Sequence, residues 1–514
     1  MNYADLFRMT LPETALELAA LIVLVVDLGF LRKAALQVRV ATAALLGVGG
    51  CGIALFAMLL QTPGGLSAPG GDLLLTADGS SALAQTGILA LTVLTLLLLI
   101  GADFTRHVGE YVAVVLMSAT GGLLIAAAQD LLVIFVGLEL LSLGLYILTA
   151  FAKSSGKSAE AALKYYLFGG MSAAFLLFGF SYLYGIAGST NLHRIMLAAY
   201  GWNSYHTSTL LYVALVMIAA GLGFKVAAVP FHQWAPDTYE GAPAPSAAFI
   251  ASVSKLASFA LLIAIGTAAL HVFDDRNSVA RVSIGILSGS EPAYLGFARS
   301  WSLILAVLAT ASMVVGNLAA LAQTSVRRLL AYSAIAHGGY ILLGLAYFSY
   351  SPRSAEAVLY YTLSYGLTTI GAFGVVGVVE RATGSDRMDA FLGLHKRSPL
   401  LAAVLLVLFL SLAGIPPLVG FWAKFNLFAA VLGVSAGAVP FALVALAVAM
   451  SAVSLYYYLQ VLKRAYVMPT VNETPIAVHP VTLGVLLLIA AMVLALGCLP
   501  ALLQDWIAGF YPGM

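Results

Sequence analysis

The chain has 514 residues, of which 62% are hydrophobic and only 9% are Asp, Glu, Lys or Arg, with a formal net charge of +2. Soluble globular domains carry roughly 25% charged residues, so a soluble enzyme, a nucleic-acid binder with a basic face and a disordered scaffold are excluded. A polytopic protein of the lipid bilayer remains.

A spanning helix needs about 20 mostly apolar residues. Fourteen stretches meet that requirement, near 11–31, 40–60, 80–101, 109–128, 131–151, 163–187, 208–230, 243–269, 300–322, 328–348, 355–379, 398–433, 437–462 and 481–503. The first twenty residues hold Asp5, Glu13 and Glu17 against Arg8 alone, unlike the positive start of a cleaved signal peptide, so no cleavage is expected. Span 7 ends in Val229-Pro230-Phe231-His232, and span 12 contains Gly414-Ile415-Pro416-Pro417. Proline removes a helix hydrogen bond, and the freed carbonyls must find partners in protein or trapped water. Both spans therefore read as broken helices.

The spacing of the breaks predicts an all-α polytopic fold containing two five-helix repeats. Residues 1–108 supply helices 1–3, 109–269 the first repeat (helices 4–8), 270–299 a connecting loop, 300–462 the second repeat (helices 9–13) and 463–514 helix 14. An odd number of helices per unit inverts the second copy, and inverted repeats with broken helices at mid-membrane are a transporter signature. Helices 5 and 10 then correspond, pairing Glu139 with His337. Helices 7 and 12 pair Lys225 with Lys424.

Fifteen Lys and Arg lie in or beside the odd-numbered connections, against five in the even ones: Arg194, Arg276, Arg281, Arg299 and Arg353. The positive-inside rule places the odd connections in the cytoplasm and both termini outside. Adding Arg8 leaves Lys225, Lys255 and Lys424, all inside predicted spans. Charges there are costly and usually face a polar interior.

For each lysine the alternative to a functional role is snorkelling to the interface, which is hardest for Lys255. Glu139, near the centre of helix 5, either forms a structural ion pair with a lysine or acts in proton transfer. Burial disfavours a charged lysine and a nearby carboxylate restores it, so a Glu–Lys pair of variable separation is a proton switch. Lysine can be tuned this way whereas arginine stays charged. His337, about ten residues into helix 10, is a proton relay or a neutral histidine hydrogen-bonded in the bundle. His232, at the helix 7 break, shuttles protons or caps freed carbonyls. The only cysteines, Cys51 and Cys498, stand at opposite ends of the chain. A disulfide framework or an iron–sulfur cluster needs more thiols, closely spaced.

Three motifs carry a family resemblance. Phe231-His232-Gln233-Trp234-Ala235-Pro236-Asp237-Thr238-Tyr239-Glu240-Gly241-Ala242-Pro243, followed by Ser252-Val253-Ser254-Lys255, resembles the signature of the antiporter-like subunits of respiratory complex I. Gly316-Asn317 with Arg327-Arg328-Leu329-Leu330-Ala331-Tyr332-Ser333, and Gly414-Ile415-Pro416-Pro417 through Trp422-Ala423-Lys424-Phe425, look like the same family's later segments. The likeness covers about 110–465, and the Asp-Thr-Tyr-Glu-Gly-Ala-Pro form resembles the subunit N branch of NADH-quinone oxidoreductase more than L or M. The related multisubunit Na⁺/H⁺ antiporters share much of the pattern and are the alternative.

The resemblance implies a proton-pumping, non-redox membrane subunit driven by quinone reduction elsewhere in the complex. By that analogy Glu139 and Lys225 form the switchable pair, Lys255 and His337 connect the halves, and Lys424 is the terminal proton site. Lys164 falls where the family also has a lysine, although its place at a helix end favours snorkelling. The chain itself would hold no cofactor and no metal. NADH, flavin, iron–sulfur clusters and quinone would bind partner subunits, and the chain's own partners would be other complex I subunits, the lipid bilayer and protons, with no nucleic acid. The 271–299 segment is longer than the family pattern suggests.

Overall fold

The computed structural model describes residues 7–61, 64–67, 72–201, 205–274, 293–348, 353–434, 437–469 and 474–510. Its helices follow the predicted spans. The first group is α1 (Leu11–Val25, continued by a π-helical turn Val26–Phe30), α2 (Leu36–Leu59), α3 (Gly79–Leu99), α4 (Val108–Ala127), α5 (Leu131–Thr149), α6 (Gly156–Ala187) and α7 (Tyr205–Val226). Next come α8 (Ala244–Phe249, a π-helical turn Ile250–Ser254, then Lys255–Asp274), α9 (Ala293–Leu321), α10 (Val326–Ala346) and α11 (Arg353–Thr383). The chain ends with α12 in two halves (Pro399–Ala413 and Val419–Val434), α13 (Ala438–Tyr466) and α14 (Pro480–Cys498). Twelve described helices are individually long and apolar enough to cross a membrane. The exceptions are α1, which reaches spanning length through its π turn, and the divided α12.

Helix starts are set by side chains that accept from first-turn amides. Asp78 takes the amide of Ser81 (2.8 Å), Asp130 that of Leu132 (2.8 Å) and Ser325 that of Arg328 (3.2 Å). The N-terminal unit is pinned where Arg39 of α2 grips Asp27 at the end of α1 (2.6 and 2.7 Å), while the Gly109 amide of α4 donates to the same carboxylate (3.1 Å).

The two breaks are built alike. At the end of α7 the amide of Ala227 donates to the Phe224 carbonyl (3.0 Å) and that of Ala228 to Gly223 (2.7 Å). After the first half of α12, Gly414 donates to Ser411 (2.9 Å) and Ile415 to Leu410 (3.0 Å). Both are Schellman terminations, which turn on one residue in the left-handed region: Ala227 at φ 58° and Gly414 at φ 88°. This shared local geometry supports the two-repeat reading more directly than residue identity does.

Burial divides the helices into a centre and a rim. Almost every residue of α8 as far as Ala268, of α10 and of α11 is buried, as expected of helices apolar on all sides. By contrast α6 and α13 leave large apolar side chains such as Leu163, Phe178, Phe441 and Tyr456 exposed, a face suited to lipid or to another membrane subunit.

Several boundaries differ from expectation. α7 ends at Val226 rather than at residue 230, and a half-helix, Trp234–Gly241, follows the break. α8 extends to Asp274 and α9 starts at Ala293, so the expected 270–299 connection is partly helical; 275–292 lies outside the described residues. The final span stops at Cys498, and Pro500 opens a separate short helix, Pro500–Ala508, as proline does at a first helical position. An unexpected hairpin pairs β1 (Gly64–Ser67) with β2 (Leu73–Ala77). It is held by a bridge from Leu75 to Ala128 and by the Asn191 side chain on the Leu73 carbonyl (2.7 Å). Leu73-Leu74-Leu75 is too short an apolar run to announce a strand, and its partners lie on distant connections.

At Gly414 a Cβ would come 2.9 Å from Lys424 Cδ, in addition to the left-handed backbone. Gly414→Ala is therefore expected to cost about 1–2 kcal/mol, seen as a lower unfolding temperature of the purified protein. Ala227→Gly, which relieves the same conformation at the other break, should cost less in the same measurement.

Candidate functional site

The three lysines isolated in the sequence are all buried in the helix bundle, and each meets a different acceptor. Lys225, in the last turn of α7, donates to Ser142 Oγ of α5 (2.5 Å). Ser142 follows Glu139 by three residues, so the two share a helix face. Among the described residues no ion pair joins Glu139 to Lys225, whose ammonium rests on Ser142 instead. Glu139 itself is half-buried, flanked on α5 by the exposed Val136 and Leu143.

Lys255 begins the α-helical stretch after the π turn of α8 and donates to the Ala334 carbonyl of α10. Gly338 lies beside this contact: a Cβ there would stand 3.6 Å from Lys255 Nζ, an ordinary contact, and 3.3 Å from the Val226 carbonyl, a tighter one. Lys424 reaches back across the second break to the carbonyls of Leu412 (3.1 Å) and Ala413 (2.8 Å) and to Ser451 Oγ of α13 (2.8 Å). These carbonyls end a half-helix, where the helix dipole favours a cation. Leu412 stands two residues before Gly414, as Lys225 stands two before Ala227. The Lys424 ammonium is thus delivered to the place in its break that Lys225 holds in the first.

His337 lies between them in a cluster of tyrosines. Its Nδ1 is 2.8 Å from the Tyr361 hydroxyl and its Nε2 is 3.5 Å from that of Tyr458. The Tyr365 ring lies 4.9 Å from the imidazole and 5.7 Å from Lys255 Nζ. On the other side the Tyr340 ring is 5.8 Å from the imidazole and 5.5 Å from Lys424 Nζ. Aromatic rings thereby connect Lys255, His337 and Lys424, with cation–π contacts at both ends. A cavity of about 10 Å³, lined by His337, Tyr361, Thr368, Ser411 and Leu412, separates the histidine from the second break. That is near the lower limit for one water.

His232 follows the first break. Its carbonyl accepts from the Ala235 amide (3.0 Å), and its Nδ1 is buried without a hydrogen-bond partner. Lys164 pairs with Glu160 (2.7 Å) and Asp237 (2.8 Å), so its head group is held by the half-helix Trp234–Gly241. Sequence reasoning missed Ser142, Ser451 and the tyrosines. Hydroxyl residues are common in apolar helices, and only their meeting with Lys or His distinguishes these.

The same half-helix carries Asp237 and Glu240 into a basic cluster. Arg328 of α10 contacts Asp237 (2.6 Å) and Glu240 (3.0 Å), and Lys157 of α6 approaches Glu240 (3.4 Å). Burial alone would raise the Asp237 carboxyl, but hydrogen bonds from Lys164 and Arg328 outweigh it and hold the group below the usual carboxylate range. The stability contributed by such a group is complete above its unfolded value, about 3.9, and is lost as pH falls through the folded value. Amide protection across 234–241, read by hydrogen–deuterium exchange, should therefore persist down to a pH of about 4 and fall only below it.

Known proteins share this helix arrangement. The family described as NADH:quinone oxidoreductase/Mrp antiporter, TM, matches residues 128–290 and 278–454. NADH-quinone oxidoreductase subunit N 2 of Acidobacterium capsulatum is 47% identical over 518 residues, covering 99% of each chain. A chain of respiratory complex I from Thermus thermophilus superposes with a TM-score of 0.74 at 32% identity, over 96% of this chain and 98% of its own. A chain of the Mrp complex from Dietzia shares the fold, with a TM-score of 0.76 at 22% identity over 97% and 96% of the two chains. Both complexes use this helix arrangement, so sequence identity discriminates between them. With nearly half of its residues identical to a subunit N relative along almost the whole length, the chain belongs to the antiporter-like membrane subunits of NADH-quinone oxidoreductase, in the subunit N group.

Proposed function

We propose that Glu139, Lys225, Lys255, His337 and Lys424 form the proton path of a non-redox, proton-translocating, multi-pass membrane subunit of NADH-quinone oxidoreductase. The observation that carries this reading is the chain of contacts from Lys255 through Tyr365, His337 and Tyr340 to Lys424. It supplies titratable and polar groups across the centre of an otherwise apolar bundle. Lys225 rests on Ser142, one turn from Glu139. Movement of its side chain toward Glu139 would form the ion pair, favouring the ammonium; return to Ser142 would favour release of the proton toward Lys255. His232 and Lys164 support the path from the first break. His232 offers an unpartnered ring nitrogen, and Lys164 anchors the half-helix that follows.

Other complex I subunits are its partners, and the exposed apolar side chains beside Glu139 suit coverage by one of them. NADH, flavin, iron–sulfur clusters and the quinone head bind those partners, whose redox chemistry drives the path. The odd-numbered connections face the cytoplasm and both termini lie outside.

In the assembled complex, Glu139→Ala and Lys225→Ala are each expected to lower NADH-driven proton pumping at least about tenfold. Undiminished pumping in an assembled Glu139→Ala complex would remove the switch. Orientation is read by labelling single cysteines with a membrane-impermeant maleimide after replacing Cys51 and Cys498. Lys153→Cys should label only in inverted vesicles and His193→Cys only from the outer face; the reverse pattern would invert the topology.

A further inference from the structure

Two cavities open on the face that bears the odd-numbered connections. The inner one has a volume of about 360 Å³ and the outer one about 570 Å³. Lys157, Glu240, Glu380 and Asp386 line both, so these four side chains form the wall between them. The wall is tied to Arg327 of α10, whose side chain is 5% exposed. Arg327 Nη1 donates to the carbonyls of Glu240 (2.9 Å) and Ala242 (2.6 Å), at the terminal turn of the half-helix Trp234–Gly241. Its Nη2 pairs with Glu380 Oε2 of α11 (2.9 Å). One guanidinium therefore fastens the half-helix of the first repeat to two helices of the second.

Two further observations concern the inner cavity. Arg327 Nε and Thr482 Oγ1 are buried, have no hydrogen-bond partner, and belong to residues that line it. Buried polar atoms without a protein partner call for ordered water. The cavity also reaches Ala248, seven residues before Lys255 along α8, or about 10 Å of helix.

We propose that Glu380 and Arg327 are a positioning pair for proton uptake, with Glu380 as the group that a proton arriving in the cavities neutralises. Arg327 remains charged throughout, so only its carboxylate partner can change state. The groups facing Glu380 are Arg327, Asp386, Lys157 and Glu240. When a proton adds to Glu380 the ion pair is lost. Arg327 is then held by the two carbonyls alone, and the half-helix is released from α11. Neither residue passes the proton to Lys255 itself; the pair sets the position of the half-helix beside which water must reach the path. This inference rests on the proton-path reading given above.

The test uses the assembled complex in inverted vesicles, which expose the odd-numbered connections. Glu380→Gln, which cannot form the ion pair, is expected to lower protons pumped per NADH oxidised by about three- to tenfold and to flatten the pH profile of pumping. Glu380→Asp should restore both. Arg327→Lys keeps the charge, but its shorter side chain with a single point charge cannot span the two carbonyls and Glu380 as the forked guanidinium does, and should show the same loss; it decides the matter if Glu380→Gln does not assemble. Unchanged pumping with an unchanged pH profile in whichever of these assembles overturns the proposal, as does a Glu380→Asp complex as impaired as Glu380→Gln. Lys225→Ala separates the two readings. Intact pumping there removes the proton path itself, whereas loss there beside normal Glu380→Gln removes only the positioning pair.

Discussion

At the second break the carbonyls of Leu412 and Ala413 have lost the amides that another helical turn would have supplied, and hydrocarbon offers no water to replace them. The chain answers with Lys424, whose ammonium takes both carbonyls and adds the hydroxyl of Ser451. A break and a buried cation thus solve each other's problem. The carbonyls at a helix end carry partial negative charge, and an ammonium needs acceptors once it leaves water. Gly414 is required both for its left-handed backbone and for the space through which the lysine passes. The first break meets the same demand differently. Trp234 folds back so that its indole N–H donates to the Phe224 carbonyl (3.0 Å), and Ser312 of α9 accepts the Val229 amide (2.9 Å).

The same economy governs the centre of the bundle. Lys225 meets one hydroxyl, Lys255 one carbonyl, and Lys424 two carbonyls and a hydroxyl. Between them, tyrosines supply rings that pack as apolar surface and hydroxyls that serve His337. Tyr340 and Tyr457 are fixed in turn by Asn317, whose side chain donates to one (3.0 Å) and accepts from the other (3.2 Å). Asn317 belongs to the Gly-Asn pair noted in the sequence, and its place among the tyrosines gives that motif a physical reason.

The repeats are joined at one membrane face by charge as well as by packing. Asp237 and Glu240 contact Lys164 and Lys157 of the first repeat and Arg328 of the second. Arg327 adds the backbone of the half-helix and Glu380. The paired basic residues Arg327 and Arg328 thereby lock a half-helix in place. Their function depends on which carboxylates the fold brings to them.

Much of this was legible in the sequence because charge is scarce in an apolar chain. The order of the spans, both proline breaks and the buried lysines follow from what the bilayer excludes, and so does the singling out of Glu139 and His337 as candidates. The β-hairpin, the half-helix Trp234–Gly241 and the hydroxyl partners were not legible. A strand is recognised by its partner, and Ser142 or Tyr361 looks like any other polar residue in an apolar helix. The sequence by itself determined where charge enters the membrane and where the helices must break, since both follow from local composition and from backbone chemistry. Only the tertiary structure decided which acceptor each charge meets. Lys424 and Leu412 are separated by an entire break, and Arg327 and Glu380 by nearly two whole helices, so those meetings exist only once the helices have packed.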